Sequence, residues 1–170
     1  YTSLRLRNSI MRTLFLSLLS LVTITTTPIT KPKEEVIIPI EIQESCEKWG
    51  KEYEICPELL EAICWQETRC RPELDNENCY GITQINPKYF KKIMDSLGVD
   101  DLYDYDQNIH VCAYTIRQYA DEAEDLYCVL MMWNSGSSRG KTLFEQGKYT
   151  SYAKEVTETA HELEIKHYGQ

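Results

Sequence analysis

The chain has 170 residues, 42% of them hydrophobic, and a formal net charge of −9. This length suits one domain of ordinary size plus a tail. Residues 1–45 carry five Lys/Arg and four Asp/Glu, so residues 46–170 carry 13 and 23, a net of −10, which excludes a nucleic-acid binder built on a basic patch.

The first 27 residues read as a secretory signal peptide or an N-terminal membrane anchor. Arg5, Arg7 and Arg12 precede an apolar run from Leu14 to Ile24. About eleven helical residues span roughly 16 Å, too short for a hydrocarbon core of about 30 Å. Thr25–Thr27 and Pro28 offer no Ala-x-Ala cleavage pattern, so retention as an anchor stays open. Residues 28–44, with Pro28, Pro32 and Pro39 among mixed charges, read as a linker with a short extended piece at Val36–Ile38. The domain is expected over 45–170.

Within it the periodicity is helical. Pro57 suits a first helical position, and Leu59, Leu60, Ile63 and Cys64 follow as an apolar stripe. Asn86–Pro87 opens a second helix, which Gly98 stops. Asp106 is the expected cap of a third, with Ile109, Cys112, Ala113 and Ile116 on one face. Leu126–Trp133 is almost wholly apolar and therefore central. A last amphipathic helix runs from Tyr152 to about Ile165. Strand alternation is absent apart from a small hairpin near Cys79–Ile85, so the fold class is mainly α.

Seven Cys without a Cys-x-x-Cys pair, and three His at no zinc-ligand spacing, argue against a metal site. No cofactor is expected. Disulfides in an oxidising compartment fit the cysteine count better. Cys70 and Cys79 flank a short polar loop and are the first candidates to pair, with Cys56, Cys64, Cys112 and Cys128 as alternatives.

Glu67 carries the most information. It lies seven residues after Leu60 and four after Ile63, on the apolar stripe near a helix C-terminus. Desolvation and the negative end of the helix dipole both raise a carboxyl pKa there, which suits a general acid near neutral pH. A helix that simply ends and turns Glu67 to solvent explains the spacing equally well.

The surrounding motifs tip the balance. Ala62-Ile63-Cys64-Trp65-Gln66-Glu67-Thr68, then Pro72, then Tyr80-Gly81-Ile82-Thr83-Gln84-Ile85-Asn86-Pro87 resemble the lytic transglycosylase family, whose domain is lysozyme-like and related to the goose-type lysozymes. Asn108-Ile109, Trp133-Asn134-Ser135-Gly136 and Tyr152-Ala153 with Val156 resemble three further family segments in the expected order. Together they cover roughly residues 46–165. Thr68 stands where the family has Ser, and Thr83 where it has Met. Cys70 and Cys112 replace a common Phe and a common Gly.

The resemblance implies an exported enzyme of the cell envelope, periplasmic or extracellular, acting on peptidoglycan glycan strands. Glu67 would first protonate the leaving oxygen and then deprotonate the 6-hydroxyl of the same muramyl sugar, closing an anhydro ring. It also implies that Thr68, Tyr80, Gly81, Thr83, Gln84, Asn134 and Tyr152 line the substrate site, with Tyr152 orienting Glu67. Membrane anchoring and a cell-envelope assembly machinery are compatible partners.

Three other readings remain. If Asp75 or Glu77 positioned a water opposite Glu67, the chain would be a lysozyme-like hydrolase. Cys64 with His110 and Asn134 has the residue types of a cysteine nucleophile site, without a flanking signature. A non-catalytic peptidoglycan-binding or assembly module is the third, since a fold does not imply activity.

Overall fold

The computed structural model describes residues 34–169. The expected signal peptide or anchor and the first part of the linker lie outside them. Among the described residues no helix is long and apolar enough to cross a membrane.

Among the described residues, seven helices and one two-stranded hairpin follow in order: α1 Ile40–Tyr53, α2 Pro57–Thr68, β1 Asp75–Asn76, β2 Cys79–Tyr80, α3 Pro87–Leu97, α4 Tyr105–Glu122, α5 Leu126–Ser135, α6 Ser137–Glu145 and α7 Ser151–Tyr168. The fold is mainly α. The packed unit begins earlier than the composition shift implies, because Ile38 is buried and α1 starts at Ile40, inside the proline-bearing stretch read as linker. Two apolar residues there, Ile38 and Ile42, reach the core.

The capping rules work locally. Pro57 opens α2, while Asn86 caps α3 by accepting from the Lys88 N–H and Gly98 ends it in the left-handed region. The cap of α4 is Asp104, which accepts from Asp106 and Gln107 N–H, and not Asp106 as the sequence implied. Asp106 instead reaches across to α1, where it accepts from Ser45, Trp49 and Lys48. The hairpin pairs Asp75 with Tyr80 and Asn76 with Cys79, so its first strand precedes the expected Cys79–Ile85 stretch, which contributes β2 and a bridge between Tyr80 and Ile85.

Helix α6 carries no sequence cap. It packs on α5 through Gly140, where an added Cβ would lie 2.4 Å from the Met132 N and 2.5 Å from the Met131 carbonyl oxygen. Only a missing side chain lets the two backbones approach so closely.

The core divides in two. The larger cluster joins α1, α2, α4, α5 and α7 around Leu60, Ile63, Ile109, Ile116, Leu130 and Met131. The smaller one gathers Ile85, Met94, Val99, Leu102 and Val111 under α3 and the hairpin. Full burial of one such side chain stabilises by roughly 1.5–3 kcal/mol. Trp133 packs against both clusters, so it marks the seam between them.

Four cysteines, Cys46, Cys64, Cys70 and Cys112, lie in or on the larger cluster. All seven cysteines are free thiols in the structure. The structure does not show the Cys70–Cys79 bridge expected from the sequence. Cys70 is buried, with Cys64 among its neighbours, whereas Cys79 is half-exposed beside Asn86 and Glu67. The left-handed backbone at Arg69 and Cys70 follows the end of α2 directly, and Cys70 takes part in the core there.

Candidate active site

Helices α2 and α7 run antiparallel. At one end Tyr152 bonds Glu67 and Gln66 bonds Glu155; at the other His167 bonds Glu58. This pairing brings the last turn of α2 against the first turn of α7, where Thr150 caps the helix by accepting from the Ala153 N–H.

Glu67 sits in that last turn, half-buried beside the seam that Trp133 marks. The Tyr152 hydroxyl donates to its Oε1 at 2.7 Å. The Trp133 side chain lies close enough to Glu67 and Tyr152 to favour their ionised forms. Trp133 is itself held edge-on by Phe90, with ring centroids 5.7 Å apart. Burial pushes the Glu67 carboxyl above its ordinary pKa, and Tyr152 and Trp133 pull it part of the way back. No neighbouring carboxylate contributes to that shift. The group is thus a half-buried carboxyl of raised proton affinity, oriented by the Tyr152 hydroxyl.

The backbone beyond Glu67 reverses sharply. Arg69 and Cys70 both have positive φ, at 56° and 59°, a conformation that costs a non-glycine residue about 1–2 kcal/mol. Thr68 offsets this. Its hydroxyl donates to the Ile82 carbonyl at 2.9 Å and accepts from the Arg71 N–H, while Arg71 Nε donates to the Thr68 carbonyl. Thr68 is buried and ties the end of α2 to the loop after the hairpin.

That loop is organised by Asn108, which is wholly buried in α4. Its Nδ2 donates to the Tyr80 and Leu102 carbonyls at 3.0 and 2.9 Å. Its Oδ1 accepts from the Thr83 N–H at 3.0 Å and the Thr83 hydroxyl at 2.5 Å. Gly81 is required at the centre: its φ is +74°, and a Cβ would fall 1.9 Å from the Leu102 oxygen. Thr83 is therefore buried scaffold. Gln84 is half-buried, with its amide donating to the Leu74 and Gly81 carbonyls. Tyr80 packs edge-on against Tyr103.

The site residues inferred from the sequence thus fall into two groups. Glu67 and Tyr152 are in direct contact. Thr68, Gly81 and Thr83 are buried and engaged with the protein's own backbone or with Asn108. Asn134, at the end of α5, is exposed, and Tyr80 and Gln84 are half-buried. Two residues outside the inferred set do much of the positioning. Trp133 and Asn108 each stood in a recognised motif, and the signal for them was that motif membership.

The competing sites do not assemble. Asp75 and Glu77 are exposed on the hairpin, and Asp75 accepts from the Tyr103 hydroxyl at 3.5 Å. Cys64 is wholly buried, and burial drives its thiol pKa well up. His110 is occupied elsewhere, stacked on Trp49 at 3.6 Å between centroids and bonded to the Tyr53 hydroxyl at 2.6 Å. Among the described residues no group of three or more His, Cys, Asp or Glu is arranged to hold a metal ion.

A family model described as Transglycosylase SLT domain matches residues 44–156, about two thirds of the chain. The chain belongs to that family. The match takes in the end of α2, the hairpin loop, the Asn108 turn, the end of α5 and the start of α7, which are the segments that meet around Glu67. A search of curated proteins found none that matches the chain. The SLT domain is of the lytic transglycosylase type, which cleaves cell-wall peptidoglycan, and this implies work in the cell envelope.

Proposed function

We propose that the chain is an exported peptidoglycan lytic transglycosylase that cleaves the MurNAc–GlcNAc bond, with Glu67 as its general acid and then its base. The proton of Glu67 passes to the glycosidic oxygen as that bond breaks. The resulting carboxylate takes the proton of the muramyl 6-hydroxyl as its oxygen closes on the anomeric carbon. The products carry anhydro-muramyl ends, and Glu67 regains its proton.

One observation carries this reading. Glu67 is held by the Tyr152 hydroxyl and kept toward its protonated form by burial, while the hairpin carboxylates Asp75 and Glu77 are exposed to solvent. An inverting hydrolase places a second carboxyl about 6.5–9.5 Å away to activate water. Ring closure within the substrate needs only one group acting twice. Tyr80, Gln84 and Asn134, the members of the inferred set that retain accessible surface besides Tyr152 and Glu67, are the side chains this reading assigns to the sugar.

The test is digestion of purified peptidoglycan followed by mass spectrometry of the fragments. Anhydro-muramyl ends, one water lighter than reducing ends, are expected. Glu67→Gln keeps the shape of the side chain but cannot give a proton, so cleavage should fall by at least about a hundredfold. Reducing ends, together with collapse of activity in Asp75→Asn or Glu77→Gln, would make the chain a hydrolase. An active Glu67→Gln would remove the assignment.

A further inference from the structure

A cavity of about 510 Å³ opens beside the first turn of α7, lined by Asp125, Tyr127, Tyr149, Thr150, Ser151 and Lys154. That volume lies in the usual range for ligand sites, about 300–1,000 Å³. None of these residues is one of the motif residues quoted for the family resemblance, although all lie within the matched stretch 44–156. Tyr149 precedes Tyr152 by three residues, so the two lie within about 11 Å of each other along the chain.

Its walls are mainly apolar and one of them is unusual. Tyr149 is 61% exposed. Exposed rings are normally free to rotate, but this one makes T-shaped contacts with Tyr127 and with Phe144, both at 5.7 Å between centroids. A ring fixed in advance and open to solvent loses little entropy when a flat apolar surface stacks on it. Hydroxyls of Thr150 and Ser151 stand alongside. The two charges, Asp125 and Lys154, cancel, so the cavity has no net charge with which to select an ionic group. A hexose, with one apolar face and a rim of hydroxyls, matches this lining better than a charged peptide stem.

We propose that this cavity is an outlying glycan subsite that stacks a sugar of the same strand on Tyr149, away from the bond cleaved at Glu67. The inference rests on the peptidoglycan-cleaving reading of the Glu67 site. It would make the enzyme favour long strands over short ones.

The test uses the full chain and long glycan strands freed of peptide. In a Glu67→Gln background, binding is measured by calorimetry with and without Tyr149→Ala. Loss of the stacked ring should raise Kd roughly three- to tenfold, and Tyr149→Phe, which keeps the ring, should restore most of the affinity. In the active enzyme, the ratio of kcat/KM on long strands to that on short oligosaccharides should fall by the same factor in Tyr149→Ala. Unchanged binding in Tyr149→Ala overturns the proposal. So does a loss seen only with peptide-bearing strands, which would assign the cavity to the stem. A wild-type enzyme inert on peptidoglycan would remove the catalytic reading, while the binding comparison would still decide the subsite.

Discussion

The Tyr152 hydroxyl and Glu67 Oε1, 85 residues apart in the chain, lie 2.7 Å apart in the fold. The bond acts against burial, because it favours the ionised carboxylate that burial disfavours. It therefore fixes the direction of the proton donor and moderates how tightly the proton is held.

Tyr152→Phe should separate these two effects. Loss of orientation should lower kcat by roughly ten- to a hundredfold. Loss of the hydrogen bond should raise the Glu67 pKa further, so the alkaline limb of the pH–kcat profile, where the acid loses its proton, should move to higher pH. The profile of Tyr152→Phe against wild type checks this. A limb that stays in place, with kcat intact, would mean the contact does not matter to the chemistry.

Asn108→Ala should be among the most damaging substitutions outside the core. It leaves the Tyr80 and Leu102 carbonyls and both donors of Thr83 without their partner, in a wholly buried place. An unsatisfied buried polar group costs about 1–3 kcal/mol, so a loss of at least roughly 3 kcal/mol is expected in chemical denaturation. On the proposed reading activity should fall with it, because the same side chain shapes the loop that Thr68 ties to the end of α2.

Gly81→Ala should fail for a different reason. Its positive φ already disfavours a side chain, and a Cβ would meet the Leu102 oxygen at 1.9 Å and the Asn108 amide nitrogen at 2.3 Å. Backbone has to move, so a loss of more than about 2 kcal/mol in unfolding free energy is expected in urea denaturation. Gly98→Ala serves as the control, since its φ is also positive but nothing lies within 4 Å of the added Cβ.

Stability should also depend on pH through Glu61. This carboxyl is 1% exposed, its Oε2 has no hydrogen-bond partner, and the nearest cationic candidate, His167 Nε2, is 3.9 Å away. Burial raises its pKa from 4.5 to about 7. The folded form thus holds a proton that the unfolded chain releases near pH 4.5. Stability is fully present below that value and declines as pH rises to about 7, by on the order of 3 kcal/mol. Burial of Glu67 raises its pKa too and adds to the same slope. Glu58 opposes it: burial pushes that carboxyl up, but hydrogen bonds from Cys56, its own backbone and His167 bring it below the ordinary value, so its titration falls at lower pH. Thermal midpoints at pH 5 and pH 8 should differ clearly in wild type and much less in Glu61→Gln.

The sequence by itself determined the helical class, the start and stop of α3, the apolar α5 and the place of Glu67 on the apolar stripe of α2. Those features rest on local physics: caps, helical periodicity, and a carboxyl placed on an apolar stripe. It could not supply α6, which has no capping side chain and exists because Gly140 lets it lie against α5. Nor could it decide which polar residues face the substrate. Thr68 and Thr83 carry the right chemistry for a sugar, but only the packing of the hairpin loop against α2 and α4 turned their hydroxyls inward. The cysteines make the same point. Eight residues lie between Cys70 and Cys79 in the chain without forcing them together, and the reversal at Arg69–Cys70 sends one to the core and leaves the other half-exposed near Glu67. Spacing along the chain sets what is near in a helix; what meets across helices is set by how their buried faces fit, and that is a property of the whole fold.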